Sequence, residues 1–99
     1  MGKYQLTHKA VEDLTEIWDY TFEKWSENQA DKHYQMLLET CQQIANEPNI
    51  GKKYEGIRDD LYGLKIGRHI IFYRKSPNSL IEITRILHER MDLKNKINE

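Results

Sequence analysis

The sequence predicts an α+β domain in which a helical hairpin covers one face of an antiparallel sheet. Two observations lead to this prediction. The first half of the chain places apolar residues three and four positions apart, whereas residues 61–88 are rich in β-branched and aromatic residues. The change of period falls at Pro48, which separates the halves. With 99 residues and no internal repeat, the chain is expected to form one domain, spanning residues 1–99.

Residues 61–88 are predicted to form a meander of three antiparallel strands. Gly67-Arg68 suits the centre of a type II′ turn, because glycine readily takes the positive φ that the first central position requires. Ser76 to Ser79, with Pro77-Asn78 at their centre, are predicted to form a longer connection. The predicted strands are residues 61–66, 69–75 and 80–87.

The two turns predict which residues lie opposite one another. A two-residue first turn places Leu64 opposite Ile71, and a four-residue second loop pairs Lys75 with Leu80. One face of the meander then carries Leu61, Ile70, Phe72, Ile81 and Ile83, and the other carries Tyr62, Leu64, Ile66, Ile71, Tyr73 and Ile86. Both faces are apolar, which predicts that both are covered.

The first half of the chain is predicted to form two helices. Thr7 is the expected N-cap of the first helix, and Ser26 with Gln29 forms a capping box for the second, which ends at Pro48. Because the connection is short, the helices fold back on each other and cover one face of the sheet. The core of this hairpin is expected to include three aromatic residues, Trp18, Phe22 and Trp25.

Three segments lie outside the hairpin and the meander. Residues 3–7 alternate polar and apolar side chains and are expected to add a strand to the sheet. Residues 48–60 have two glycines and no sustained period, so they are expected to form a loop. Residues 90–99 are expected to form a short helix or tail with too few apolar residues to cover a second face.

The charges of the chain are balanced overall but divided between its halves. The chain has 15 basic and 16 acidic residues, which gives no reason to expect whole-molecule attraction to nucleic acid or to a membrane. Acidic residues dominate residues 1–47, and basic residues dominate residues 61–99. A single cysteine, Cys41, excludes an internal disulfide. With no recognisable signal peptide or long apolar run, the chain is expected in the cytoplasm.

Few residues are candidates for chemistry, and no metal or cofactor is expected. Arg85 is predicted to share a side with Ile81 and Ile83, where it either reaches water or a carboxylate at the rim or binds a partner. His8, His33 and His69 lie on different elements and are not expected to form a site. Cys41 lies in an apolar stripe and is interpreted as a small buried hydrophobe. If the chain is a ribonuclease, the available acid, base and cationic groups are His88, Arg85, Arg74 and Arg68.

Four motifs, in order along nearly the whole chain, resemble the ParE toxins of bacterial toxin–antitoxin modules, within the RelE/ParE superfamily. They are EIWDY at residues 16–20, QAD at 29–31, GRHIIFYR at 67–74 and ILHERMD at 86–92. The resemblance implies a non-enzymatic inhibitor of DNA gyrase, neutralised by a ParD-like or related antitoxin. Two alternatives stay open: a RelE-type endonuclease that cuts messenger RNA on the ribosome, and a non-toxic antitoxin-binding module.

The resemblance also implies a partner surface. The C-terminal segments of such antitoxins are commonly acidic and wrap the toxin with a helix and an added strand, and higher-order complexes are possible. No membrane or sequence-specific nucleic-acid partner is expected. The predicted antitoxin site is the second face of the sheet, bearing Tyr62, Leu64, Ile71 and Tyr73 and rimmed by Arg68, Arg74, Arg85 and Arg90. Alternatively, residues 48–60 and the C-terminal turn cover that face with Ile50, Tyr54, Ile57 and Met91.

Overall fold

The structure, a computed structural model, describes residues 2–99 and contains the predicted elements in the predicted order, with one added strand, β2. The elements are β1 (Lys3–Leu6), α1 (His8–Lys24), α2 (Glu27–Asn46), β2 (Lys52–Lys53), β3 (Tyr62–Ile66), β4 (His69–Lys75), β5 (Leu80–His88) and α3 (Leu93–Ile97). None of the helices in this part of the chain is long and apolar enough to cross a bilayer.

The strands form one five-stranded sheet in the order β1-β5-β4-β3-β2. The α+β class is confirmed, with both helices on one face, but the sheet is mixed. β1 runs parallel to β5, whereas the other neighbouring strands are antiparallel. The fifth strand is β2, which lies within the segment predicted to be a loop and pairs with the start of β3.

The predicted helix caps and the first turn are confirmed. The hydroxyl of Thr7 accepts a hydrogen bond from the Ala10 N–H at 3.1 Å, and the hydroxyl of Ser26 accepts one from the Gln29 N–H, also at 3.1 Å. Gly67 has a φ of 60° at the turn between β3 and β4, which is the backbone conformation that favours glycine there.

The register of the meander is confirmed for the first hairpin and wrong for the second. Leu64 lies opposite Ile71 as predicted, but Lys75 pairs with Ile81 rather than with Leu80. A second irregularity follows between Phe72 and Tyr73, where β5 contributes one extra residue, Thr84. Together these shifts place Ile81 and Ile83 on the same face as Tyr73, Ile71 and Ile86.

The face richer in apolar residues therefore lies under the helices, and the predicted assignment of the open face is wrong. Ile71 and Tyr73, which were expected to be uncovered, are 0% exposed, and Tyr62 and Leu64 pack against the same helix-side core. The hydroxyl of Tyr73 donates to the Pro48 carbonyl at 2.6 Å and accepts from the Gly51 N–H at 3.1 Å. This ring consequently joins the core to the start of the loop.

The opposite face is covered by the loop of residues 48–60 and by α3. The ring of Tyr54 meets Phe72 edge-on, with 5.1 Å between ring centroids. It approaches β3 at Gly63, where a Cβ atom would lie only 2.6 Å from the ring. The loop and the C-terminal helix thus cover a face of the sheet, as the alternative prediction stated. The face that they cover is, however, the one opposite to Ile71 and Tyr73. Its buried cluster is Leu61, Ile70, Phe72 and Leu87, packed against Tyr54, Ile57, Leu93 and Ile97.

The aromatic residues of α1 do not form the core of the hairpin. Phe22 is 47% exposed and Trp25 is 75% exposed, so the prediction for both is wrong. Trp18 is half-buried, stacks on Phe22 and donates its indole N–H to Asp31 at 3.0 Å. The seam of α1 that meets the core is instead Ala10, Leu14 and Ile17, one helical turn apart.

Cys41 is buried as predicted, and burial raises its pKa to about 12.

Candidate functional site

A groove of about 870 Å³ separates α1 from the turn between β3 and β4. Its floor includes Ile17 and Ile86, and Met91 lies at its margin. The side chains that shape its walls are Tyr20, Trp25, His33, Arg68, His69 and His88. A concave surface of this size, mostly apolar with a few polar groups, is typical of binding sites in proteins.

Three histidines from different elements meet in this groove. The rings of His33 on α2 and His69 on β4 are 5.4 Å apart, and the same distance separates His69 from His88 on β5. Nothing in the sequence joined His33 to His69, yet the fold places their rings side by side. The predicted register placed His69 opposite Ile86, whereas the two shifts in the second hairpin make His88 its direct cross-strand partner.

The environment of these rings keeps two of them uncharged. Burial, and then the nearby His33 and His88, lower the pKa of His69 to about 4. Burial also lowers the pKa of His33. The Nδ1 atom of His88 accepts a hydrogen bond from the Arg90 backbone N–H at 3.1 Å, which fixes the orientation of this ring. The groove therefore favours the neutral form of His33 and His69.

Lowering the pH is expected to destabilise the fold through His69. The unfolded chain binds a proton at this residue near pH 6.5 and the folded chain only near pH 4, so unfolding becomes easier as the pH falls between these values. Allowing for partial exposure, the loss is on the order of 1–2 kcal/mol. The free energy of unfolding, measured with urea at pH values from 7 to 4.5, should depend less on pH for His69→Gln than for the wild type. The control is His8→Gln, since the His8 side chain is 90% exposed. Identical pH profiles for wild type and His69→Gln would contradict this account.

The groove does not form a metal centre. No group of three or more His, Cys, Asp or Glu side chains within residues 2–99 is placed to hold a metal ion. The carboxylate of Asp92, four residues after His88, caps α3 instead and accepts from the Asn95 N–H at 3.3 Å. The three histidines are therefore better described as polar lining of a groove.

A buried ion pair holds α1 against β5 beside the groove. Asp13 accepts hydrogen bonds from Nε and a terminal nitrogen of Arg85 at 2.8 and 3.0 Å, and from the Ile86 backbone N–H at 2.9 Å. β1 pairs with β5 only as far as Ile83, so Asp13 occupies the strand edge that β1 leaves open. The hydrogen bonds to Asp13 raise the pKa of the Arg85 guanidinium above its usual value.

Arg85 is consequently buried in the fold rather than on a partner surface, and its predicted nuclease role stays a prediction. It does reach a carboxylate, as one interpretation held, but it is only 8% exposed rather than at a rim. Arg74 also faces acids, because it donates to Glu82 at 2.9 Å and lies 3.6 Å from Asp60. Arg68 and Arg90 are exposed.

The structure therefore divides the predicted site residues between different places. Arg68 and His88 line the groove, whereas Arg74 and Arg85 are held by acidic residues elsewhere. The apolar residues of the predicted antitoxin site lie in the helix-side core or against it. The exposure of Tyr20 was not predicted, and Trp25 was assigned to the hairpin core although it is exposed. A signal for Tyr20 was present, because residues two apart on a helix, such as Trp18 and Tyr20, cannot both face one core.

The fold occurs in solved structures of bacterial toxin–antitoxin systems. The structure is similar to a chain from the chromosomal ParDE TA system of P. aeruginosa, with a TM-score of 0.74, 22% identity and coverage of 89% of this chain and 96% of that one. It is also similar to a chain of the toxin–antitoxin complex RelBE2 from Mycobacterium tuberculosis, with a TM-score of 0.69, 17% identity and coverage of 88% and 96%.

Sequence comparison defines the family within this fold. Residues 4–93 match the family described as the ParE toxin of the type II toxin–antitoxin system, parDE. Toxin ParE1 of M. tuberculosis is 35% identical over 92 residues, which are 93% of this chain and 94% of that protein. Toxin ParE1 of Caulobacter vibrioides is 34% identical over 92 residues, which again are 93% of this chain and 94% of that protein. The chain belongs to the ParE toxin family of type II toxin–antitoxin systems.

Proposed function

We propose that this toxin acts by binding DNA gyrase, without enzymatic activity of its own, and that direct binding of a cognate antitoxin neutralises it. Family membership supports the choice of gyrase over the ribosome as target. The dispersal of the basic residues supports binding over catalysis, and it is the observation on which this proposal mainly depends.

A metal-independent ribonuclease needs cations gathered around the phosphate, together with an acid and a base. Here Arg85 is neutralised by Asp13, and Arg74 by Glu82. Lys65 lies 3.3 Å from Glu89. In the groove, Arg68 shares the lining with the carboxylates of Asp13 and Glu16, and His69 is neutral. This arrangement disperses the positive charge that an RNA backbone would need, which supports binding over catalysis.

The choice between gyrase and RNA can be tested in cells by inducing the protein and mapping messenger RNA ends while measuring plasmid supercoiling. We expect plasmid supercoiling to fall, because the toxin binds gyrase. We expect no new cuts inside codons, because the basic groups that a ribonuclease would use are paired with acids. Messenger RNA cut within codons on ribosomes, with supercoiling unchanged, would establish the RelE-type alternative. Normal growth with neither effect would establish the non-toxic module.

The groove is the proposed antitoxin site, in place of the sheet face predicted from the sequence. Tyr20, Trp25 and Met91 are 63%, 75% and 42% exposed around it, and exposed apolar groups gathered in this way are typical of partner sites. Arg68 in the lining and Arg90 next to Met91 supply two exposed cations. These favour the acidic segment that the family resemblance implies, because arginine holds carboxylates through paired hydrogen bonds.

A further inference from the structure

α1 carries a second exposed apolar surface, separate from the groove. Val11, Trp18 and Phe22 are seven and four residues apart, so they lie along one side of the helix. Val11 is 45% exposed and Phe22 is 47% exposed, and the rings of Trp18 and Phe22 stack with 5.2 Å between centroids. Glu16 and Tyr20, which line the groove, are on a different side of the helix. We call the first three residues the outer stripe.

A row of carboxylates follows the outer stripe along its solvent side. Glu12, Asp19 and Glu23 are each one position further along the helix than a stripe residue, and all three are exposed. Within residues 2–99 one member of this row, Glu12, has a basic side chain within reach, because the imidazole of His8 lies 3.2 Å from its carboxylate. Asp19 and Glu23 repel each other at a spacing of four, and Glu23 lies near the helix C-terminus, where the dipole disfavours negative charge. Helix stability therefore does not account for the row.

We propose that the outer stripe with its carboxylate row is the surface through which this toxin docks on its target, and that the complementary surface is apolar with a positively charged border. This inference rests on the proposed function. Gyrase handles DNA, and proteins that hold DNA carry Lys and Arg on the surfaces that do so. A stacked Trp–Phe pair provides a rigid apolar anchor, and the carboxylates orient it toward such a border.

Charge distinguishes this surface from the antitoxin site. The outer stripe is bordered by the exposed carboxylates of Glu12, Asp19 and Glu23, so an acidic antitoxin segment is repelled here, whereas the arginines beside the groove attract it. The two surfaces lie on different sides of one helix. Variants can therefore separate target binding from antitoxin binding.

The test compares three variants of the full chain by their affinity for purified gyrase and for the antitoxin. Phe22→Ala should weaken gyrase binding about tenfold or more, as loss of an aromatic anchor does. Asp19→Lys combined with Glu23→Lys should weaken it at least as much and reduce its dependence on salt. The control variant, Asp59→Lys with Glu55→Lys, makes the same change of charge on the loop at the other sheet face. It should leave the affinity for gyrase unchanged.

Retained antitoxin affinity shows that each variant is folded. Loss of gyrase binding with retained antitoxin binding is the expected result for the two stripe variants. If both still bind gyrase as tightly as the wild type, the docking surface is wrong while the proposed function stands. If the wild type itself does not bind gyrase, the proposed function fails and this inference fails with it.

Discussion

Replacing Asp13 with Ala is expected to lower the free energy of unfolding by about 3–5 kcal/mol, because it removes the carboxylate that accepts two hydrogen bonds from the buried guanidinium of Arg85. That guanidinium keeps only the Lys96 carbonyl and, at 3.7 Å, the carboxylate of Glu99. The Asp13 and Arg85 side chains are 8% and 10% exposed, so water can do little to replace the carboxylate. The Ile86 N–H loses its acceptor as well. Since small domains are stable by only about 5–15 kcal/mol, this variant should be close to unfolding at 37 °C. Urea denaturation at pH 7 measures the change.

Two further variants separate the charge from the hydrogen bonds. Asp13→Asn keeps one oxygen acceptor and should lose less stability than Asp13→Ala. Asp13→Leu combined with Arg85→Met removes both charges and should recover part of the loss, because a matched apolar pair needs no buried charge. If Asp13→Ala unfolds at the same urea concentration as the wild type, the pair does not hold α1 to β5 as described.

Replacing Trp25 with Ala is expected to weaken antitoxin binding by about 2 kcal/mol, or roughly thirtyfold. Tyr20→Ala should have an effect of similar size. Both rings stand at the groove with little of their surface covered, so a partner seated there would bury them. Exposed side chains contribute little to folding, and stability should therefore change by less than about 0.5 kcal/mol. Calorimetry with the purified antitoxin gives the affinity.

Ile50→Ala is the matched control for the groove variants. Ile50 is 45% exposed and lies in the loop after α2, away from the groove lining. Its replacement should leave antitoxin affinity unchanged. Unchanged affinity for Trp25→Ala and Tyr20→Ala, in proteins with wild-type circular dichroism, would show that the antitoxin binds elsewhere.

The features that could be predicted from the sequence are those that depend on neighbouring residues. Caps at Thr7 and Ser26 and the turn at Gly67 each follow from the chemistry of a few adjacent positions, and a two-residue turn determines the register of the strands that it joins. The register of the second hairpin depends on a bulge opposite Phe72 and Tyr73, which no local pattern indicated. The shift carried Ile81 and Ile83 to the other face.

The groove could not be predicted for the same reason. His69 and His88 become partners only through the shifted register, and His33 reaches them from α2 through tertiary packing. Arg85 was correctly singled out as an unusual charge among apolar residues. Its partner Asp13 is 72 positions away in the chain, on a helix whose acidic residues otherwise face water, so nothing in the sequence linked the two.

The central claim, that this ParE-family toxin inhibits gyrase by binding and is neutralised by its antitoxin, is tested most directly by a purified supercoiling assay. Increasing amounts of the protein are added to gyrase, ATP and relaxed plasmid, and the antitoxin is then added back. The account predicts that the protein inhibits supercoiling and that the antitoxin, added in equal amount, restores it. Undiminished supercoiling at a large excess of folded, antitoxin-competent protein would contradict it.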